Sequence, residues 1–494
     1  MLVTSTPKNI HKDCVFVAVP YTDTDKPLMA PAILKSIAIK AGKSAATVDV
    51  NIKFIKYLDK LTDEKRHQIL SFFRAEICHL EVQQEIFDLL KDMAEEILRY
   101  QPKIVGICVF TRDCRCATKY LSWMLKKIDP NIKIILGGAG IIQHFAGHAN
   151  FAADLKKSGV IDDFVYGDGE IVLYNYLKNI QSDMTGLNNH AWDQISRQDL
   201  ESFPPPDYED YDLSQYGLPL ALPINGSRGC VRHCDFCDIH AHWKKFTYRG
   251  GENIFQEMLL MRQKHGIKYF NFTDSLINGN MREYRVLMNL IADYNRNKSD
   301  DEKFKWSSYF IFRDKKTFGE EDWRLTSEGG GDRLFVGIET ISDHARKQMG
   351  KNFTNEDIDY AFQMGMKFKT FTFVLLMLSG HVAETDEDHE FELQWWPNQV
   401  KYKNAIAAIN TGTTLGILDN TPLDKNFNEL GLIRVGPYPE DWVNPVTDNT
   451  PEKRLRWNQE VYQVLKNCGF RILRGHDPHY ILERMRNTTN GLLE

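Results

Sequence analysis

The stretch "GSRGCVRHCDFCDIHAHWKK", residues 226–245, gathers Cys230, Cys234 and Cys237 in a Cys-x3-Cys-x2-Cys spacing. The chain has nine cysteines, an odd number, and the other six are scattered or loosely grouped, so they do not read as a disulfide framework. Thiols this close in a reducing compartment hold zinc, hold an iron–sulfur cluster or do redox chemistry. A structural zinc site wants four closed ligands. No second Cys-x2-Cys pair is present, and His233, His240 and His242 are the candidates for a fourth ligand. An iron–sulfur cluster also usually takes four cysteines. A cluster held by three leaves one iron open to bind and activate a ligand, by the logic of an open catalytic zinc.

Working outward from the cysteines, an apolar strand candidate precedes Cys230 and five follow it. These are "KYFNFTD" (268–274), "KWSSYFIF" (305–312), "RLFVGIET" (333–340), "TFTFVLLML" (370–378) and "AIAAINT" (405–411). Helical segments such as 252–264, 281–295 and 355–365 separate most of them. Serial strand–helix units favour a parallel barrel or part of one. The expectation is a partial (β/α)6, TIM-like barrel over 223–425.

Upstream, residues 1–180 carry an independent series of units: "CVFVAVP" (14–20), "AATVDV" (45–50), "IVGICVF" (104–110), "IKIILGG" (132–138) and "DDFVYGDGE" (162–170). Helical stretches lie between them, so the expected class is α/β, a Rossmann-like doubly wound parallel sheet. Such a sheet takes its ligand at the carboxyl edge of the strands. Residues 181–222, with the acidic "SFPPPDYEDYDL", read as a linker or wrapping segment. Residues 426–494 form a C-terminal region with a mildly basic helical stretch at 451–470, assigned to shaping the substrate pocket.

Of the 494 residues, 43% are hydrophobic and 26% charged, the balance of a globular protein of two or three domains. A net charge of −6 argues against a general binder of nucleic acid or acidic lipid. The longest apolar runs are too short to span a bilayer, and the N-terminus lacks a basic-then-apolar signal pattern. The expected location is the cytoplasm.

The Cys-x3-Cys-x2-Cys motif, with Phe236 before the last cysteine, resembles the signature of radical S-adenosylmethionine (radical SAM) enzymes. The resemblance implies that the three cysteines hold a [4Fe–4S] cluster whose open iron binds S-adenosylmethionine. Reductive cleavage of that sulfonium then yields a 5′-deoxyadenosyl radical. "YFNFTDSLINGN" resembles the second-strand motif, with Asp274 and Asn280 in place and Ser275 where a second acidic residue is common. The segment 329–358 resembles the fourth strand, with Glu339 at its end and Lys351 in the next loop. "LLMLSGHVAET" resembles the fifth-strand segment beneath the adenine. It keeps Gly380 and Glu384 but not the proline and second glycine of Gly-x-Pro-Gly-Glu-Thr. The implied S-adenosylmethionine contacts are Phe236, Asp274, Glu339, Gly380 and Glu384. A strand-end turn stands beside cofactor contact for Asp274, and a structural ion pair beside it for Glu339.

The N-terminal units resemble the cobalamin-binding domain that precedes many radical SAM cores, the second strand ending in Asp49. Thr111, Gly137, Gly138, Gly167 and Glu170 stand where that family lines its cofactor pocket. No Asp-x-His-x-x-Gly motif occurs, so any cobalamin would bind without a protein histidine ligand. A vestigial domain that binds no cofactor is the alternative. Cys108 reads as a core residue, and Cys114 and Cys116 as loop residues at the sheet's edge. Together the two domains resemble class B radical SAM enzymes. That resemblance implies methyl transfer to an unactivated carbon or phosphorus of a small molecule or biosynthetic intermediate, with an external electron donor such as a flavodoxin or ferredoxin. Radical cyclisation or rearrangement without methyl transfer stays open, as does, from another class, a zinc-binding interaction module.

Overall fold

Alternation along the first strand explains the N-terminal architecture. In β1 (Cys14–Ala18), Val15 and Val17 face one hydrophobic cluster while Cys14 and Phe16 face another, and all are buried. A strand apolar on both faces needs helices on both sides, the mark of a doubly wound sheet. β2 (Ala45–Asp49), β3 (Ile104–Cys108), β4 (Lys133–Gly137) and β5 (Asp163–Val165) complete a five-stranded parallel sheet of order β2-β1-β3-β4-β5. This computed structural model describes residues 11–141, 150–179, 195–217, 219–412 and 414–473. The chain divides into two compact units, Met1–Pro223 and Ile224–Glu494.

Cys114 and Cys116, expected in a loop at the sheet's edge, are instead buried in the core of the first unit. Cys114 closes a short 3-10 turn, and Cys116 lies in the first turn of the helix Arg115–Ile128 with its thiol donating to the Phe72 carbonyl at 3.1 Å. The charges of Arg112, Asp113 and Arg115 around them hide the apolar face in the sequence.

The proline-rich segment is bound to the first unit. Lys35, 5% exposed, pairs with Asp210 at 2.7 Å and Asp207 at 3.1 Å. The Tyr216 hydroxyl donates to Asp49 at 2.6 Å, the Tyr211 hydroxyl to the Leu28 carbonyl at 2.9 Å, and the Thr47 amide to Asp210 at 2.8 Å. Asp49 also caps the helix Val50–Leu58. The segment is therefore a strap across the first unit.

β6 (Ala221–Ile224) spans the boundary between the units and opens the second sheet. A hairpin of two short strands, β7 (Ser227–Arg228) and β8 (Thr247–Tyr248), flanks the cysteine loop. β9 (Tyr269–Phe272), β10 (Lys305–Phe310), β11 (Gly331–Glu339), β12 (Thr372–Met377) and β13 (Ile406–Asn410) are parallel neighbours in sequence order. The Rossmann-like sheet and the six-stranded partial barrel expected from the sequence are both present. Toward the helices, the barrel strands present Phe270, Phe272, Trp306, Phe310 and Phe373, each at most 2% exposed. Each such ring contributes about 1.5–3 kcal/mol. Across the other face, Asn271 donates to Ser307 at 2.8 Å and Tyr309 packs on Phe335.

The C-terminal region adds an antiparallel pair, β14 (Ile433–Arg434) and β15 (Trp442–Val443), the helix Pro451–Asn467, and β16 (Ile472–Leu473). β16 pairs parallel with β13, so the sheet has seven strands with β6 and β16 as its edges. No helix among the described residues is long and apolar enough to cross a membrane.

Lys35→Met leaves Asp207 and Asp210 without their cation. The expected cost is about 2 kcal/mol in urea unfolding, with earlier tryptic or chymotryptic cleavage within 203–217.

Candidate active site

The loop carrying Cys230, Cys234 and Cys237 leaves β6 and returns through the β7–β8 hairpin, and side chains from elsewhere hold it. Asp274, just beyond β9 and 2% exposed, accepts the amides of Gly226 and Ser227, each at 2.7 Å, and the Asn225 side chain at 3.2 Å. Burial pushes the Asp274 carboxyl up to about 7, against those hydrogen bonds and the charges of Arg249 and Arg228. Asn280 caps the helix Met281–Asn295 through the Glu283 amide at 3.1 Å.

Asp235, between the second and third cysteines, is a second anchor. Its amide donates to the Met349 carbonyl at 3.1 Å, and its carbonyl accepts from the Leu423 amide at 3.0 Å. Its carboxylate accepts from His381 Nε2 at 3.0 Å. Next to Met349, a Cβ on Gly350 would come within 2.8 Å of the His233 carbonyl, so the loop after β11 lies directly on the cysteine loop.

That loop also delivers a cation to the thiols. Lys351 Nζ donates to Glu339 Oε1 and to the Gly337 carbonyl, each at 2.7 Å, and stands 5.9 Å from the Phe236 ring centre. Burial works against its charge, but Glu339 and Cys234 outweigh burial and lift its pKa. Burial raises the thiols of Cys230 and Cys234, which the Lys351 charge partly offsets, and takes Cys237 up to about 12. Such thiols need a positive centre to become thiolates. Glu339 has φ of +61°, a left-handed conformation costly for a non-glycine residue, at an irregularity in the β11–β12 register. A Cβ at Gly337 would strike Glu339 Oε1 at 2.2 Å, so the bare backbone there makes room for the ion pair.

The fifth-strand segment follows β12. Glu384, 5% exposed, accepts the amides of Gly380 and His381 at 2.7 and 2.8 Å. Gly380 has φ of +81°, and a Cβ there would meet the Arg454 stem at 2.1 Å. Asp274 and Glu384 thus lie buried with their oxygens on backbone amides, while Phe236 and Glu339 flank Lys351. Sequence reasoning missed His381, Asp235 and Arg454. The one available hint was the histidine standing inside a changed Gly-x-Pro-Gly-Glu-Thr segment.

The loop histidines have other partners. His233 stacks on His240 with ring centres 4.0 Å apart, His240 bonds the Arg232 carbonyl, and His242 approaches Asp238 at 3.3 Å. Among the described residues, no three His, Cys, Asp or Glu side chains are grouped to hold a single metal ion. A [4Fe–4S] cluster asks for no such convergence, because each thiolate binds a different iron.

In the first unit, Thr111 is exposed at the carboxyl end of β3, its Oγ1 3.7 Å from Cys114 Sγ, and Phe110 beside it is 52% exposed. Gly137 ends β4 with open space where a Cβ would stand. Gly138 is different: a Cβ there would come within 2.5 Å of the Val109 carbonyl, so its own backbone requires glycine. Gly167 has φ of +94°, and Glu170 is buried in the first turn of the helix Gly169–Leu177.

Residues 224–391 match the sequence model of the Radical SAM superfamily. An uncharacterized methyltransferase of Pyrococcus horikoshii is 23% identical over 365 residues, covering 69% of this chain and 75% of the relative. The anaerobic magnesium-protoporphyrin IX monomethyl ester cyclase of Synechocystis is 27% identical over 169 residues, covering 31% of this chain and 32% of the relative. The fold is similar to that of the radical S-adenosylmethionine methyltransferase TsrM from Kitasatospora setae, solved with cobalamin and a [4Fe–4S] cluster bound. The TM-score is 0.63 at 15% identity, over 86% of this chain and 79% of that one.

Asp274→Ala leaves two buried amides without an acceptor, an expected loss of about 2–4 kcal/mol with loosened iron binding after reconstitution. Asp274→Asn keeps an acceptor and removes the charge. A folded-state pKa near 7 lies above the unfolded value, so the wild-type carboxyl favours folding most below about pH 4 and loses that contribution as pH rises through 7. Relative to wild type, the Asn variant should therefore gain about 2–3 kcal/mol between pH 5 and pH 8, read from urea melts at both values.

Proposed function

We propose that this radical SAM enzyme is a cobalamin-dependent methyltransferase, acting on an unactivated carbon or phosphorus of a small molecule or biosynthetic intermediate. The observation that carries the reading is the loop bearing Cys230, Cys234 and Cys237, pinned at the first turn of a parallel half-barrel in a chain that also holds a Rossmann-like unit. Similarity to the Pyrococcus methyltransferase and the fold shared with TsrM support it. When bound, the cluster supplies the electron that cleaves S-adenosylmethionine, and cobalamin carries the methyl group.

The donor set fits: three free thiols on one loop, facing the half-buried Lys351 and lacking a fourth cysteine. The Lys351 charge offsets part of the negative charge that three thiolates bring. In this reading Phe236, Glu339 and Gly380 line the S-adenosylmethionine site. Asp274 and Glu384 serve it through the backbone they hold. In the first unit, Thr111, Gly137, Gly138, Gly167 and Glu170 border the cobalamin site, and Phe110 joins them. No Asp-x-His-x-x-Gly motif would supply a histidine to the cofactor in this reading. An external reductant of the flavodoxin or ferredoxin kind completes the system. Similarity to the magnesium-protoporphyrin ester cyclase supports a second reading, a radical cyclisation without methyl transfer.

Anaerobic reconstitution with iron, sulfide and hydroxocobalamin, followed by dithionite and S-adenosylmethionine, should give a brown protein that forms 5′-deoxyadenosine. S-adenosylhomocysteine should accompany it under methyl transfer and be missing under cyclisation. Serine at any one of Cys230, Cys234 or Cys237 should abolish both the cluster EPR signal and 5′-deoxyadenosine. A colourless protein holding zinc would sink the reading, and failure to retain cobalamin would sink its methyl-transfer half.

A further inference from the structure

We propose that His381 is a positioning residue that sets the charge the cluster experiences, by clamping Asp235 between the second and third cysteines. The pair is direct: His381 Nε2 lies 3.0 and 3.2 Å from the two Asp235 oxygens. His381 is fully buried and cannot swing away. Its amide donates to Glu384 at 2.8 Å, and the Asn449 side chain donates to its carbonyl at 3.0 Å. The Ala383 amide donates to Nδ1 at 3.3 Å. An Nδ1 that accepts carries no proton, so the proton of this imidazole sits on Nε2 and is given to Asp235.

Asp235 cannot turn away either, because its amide and carbonyl are fixed to Met349 and Leu423. Its carboxylate brings its charge beside the Cys234 thiol. One-electron reduction makes a cluster more negative, and a nearby carboxylate disfavours it. Hydrogen bonding around a cluster sets its potential. The Nε2–H holds the carboxylate and offsets part of its charge. His381 stands where the Gly-x-Pro-Gly-Glu-Thr pattern has its variable position, so this clamp belongs to this chain's own version of the segment.

The inference rests on the cluster reading, and its test reads the reduction midpoint by EPR-monitored potentiometry of the reconstituted full chain. His381→Phe keeps a ring and removes the donor. Its midpoint should fall, seen as at least about a threefold smaller reduced fraction at a fixed applied potential. His381→Gln restores an N–H and should return the wild-type midpoint. Asp235→Asn removes the charge while still accepting from Nε2, and its midpoint should rise. If the Phe variant does not hold a cluster, the Asn variant alone decides. Equal midpoints in wild type and Asp235→Asn at matched iron content overturn the proposal. An absent iron–sulfur signal in the wild type would overturn the cluster reading as well, whereas a normal signal with invariant midpoints overturns only the clamp.

Discussion

A loop of cysteines cannot hold itself. Between β7 and β8, the cysteine loop has only one short helix, Ile239–His242, so few of its backbone groups are satisfied from within. The second unit meets that constraint by sending side chains and backbone from the loops after β9, β11, β12 and β13 to the same few residues. Asp274 takes the amides at the loop's entry, Met349 and Leu423 take Asp235, and Lys351 brings the charge. Removing a buried acceptor such as Asp274 costs its unpaired donors their full desolvation, which makes the loop's shape expensive to change.

The first unit solves a different problem. Its glycines answer different needs: Gly138 stands against the Val109 carbonyl, whereas Gly137 leaves open space. Glycine after a strand is therefore an ambiguous sign, and only the three-dimensional neighbourhood separates close packing from a pocket wall. The strap through Tyr211 and Tyr216 shows the same point for a proline-rich segment, whose tyrosines and aspartates fasten it to Lys35, Asp49 and Leu28.

The sequence was most legible where burial is symmetrical. Strands β1, β3 and β4 are apolar on both faces and announce themselves as continuous runs, and the barrel strands do so with their aromatic residues. The three cysteines were legible because their spacing is local. What stayed hidden was short or distant. The β7–β8 hairpin and β16 hold two residues per strand, below any periodic signal. Cys116 looked like loop because charged neighbours masked the start of its helix. The His381–Asp235 pair joins residues 146 apart, and nothing in either neighbourhood specifies the other.

Arg454 ties the fifth-strand segment to a helix far along the chain. It lies on the C-terminal helix, fully buried, with its guanidinium on the Trp442 and Glu440 carbonyls and its stem against Gly380, the residue before the clamp. The cysteines leave the ribosome long before that helix does. Until it docks, the segment that grips Asp235 has no backing. The three thiols are therefore made early, and the segment that grips Asp235 gains its backing only late in the chain.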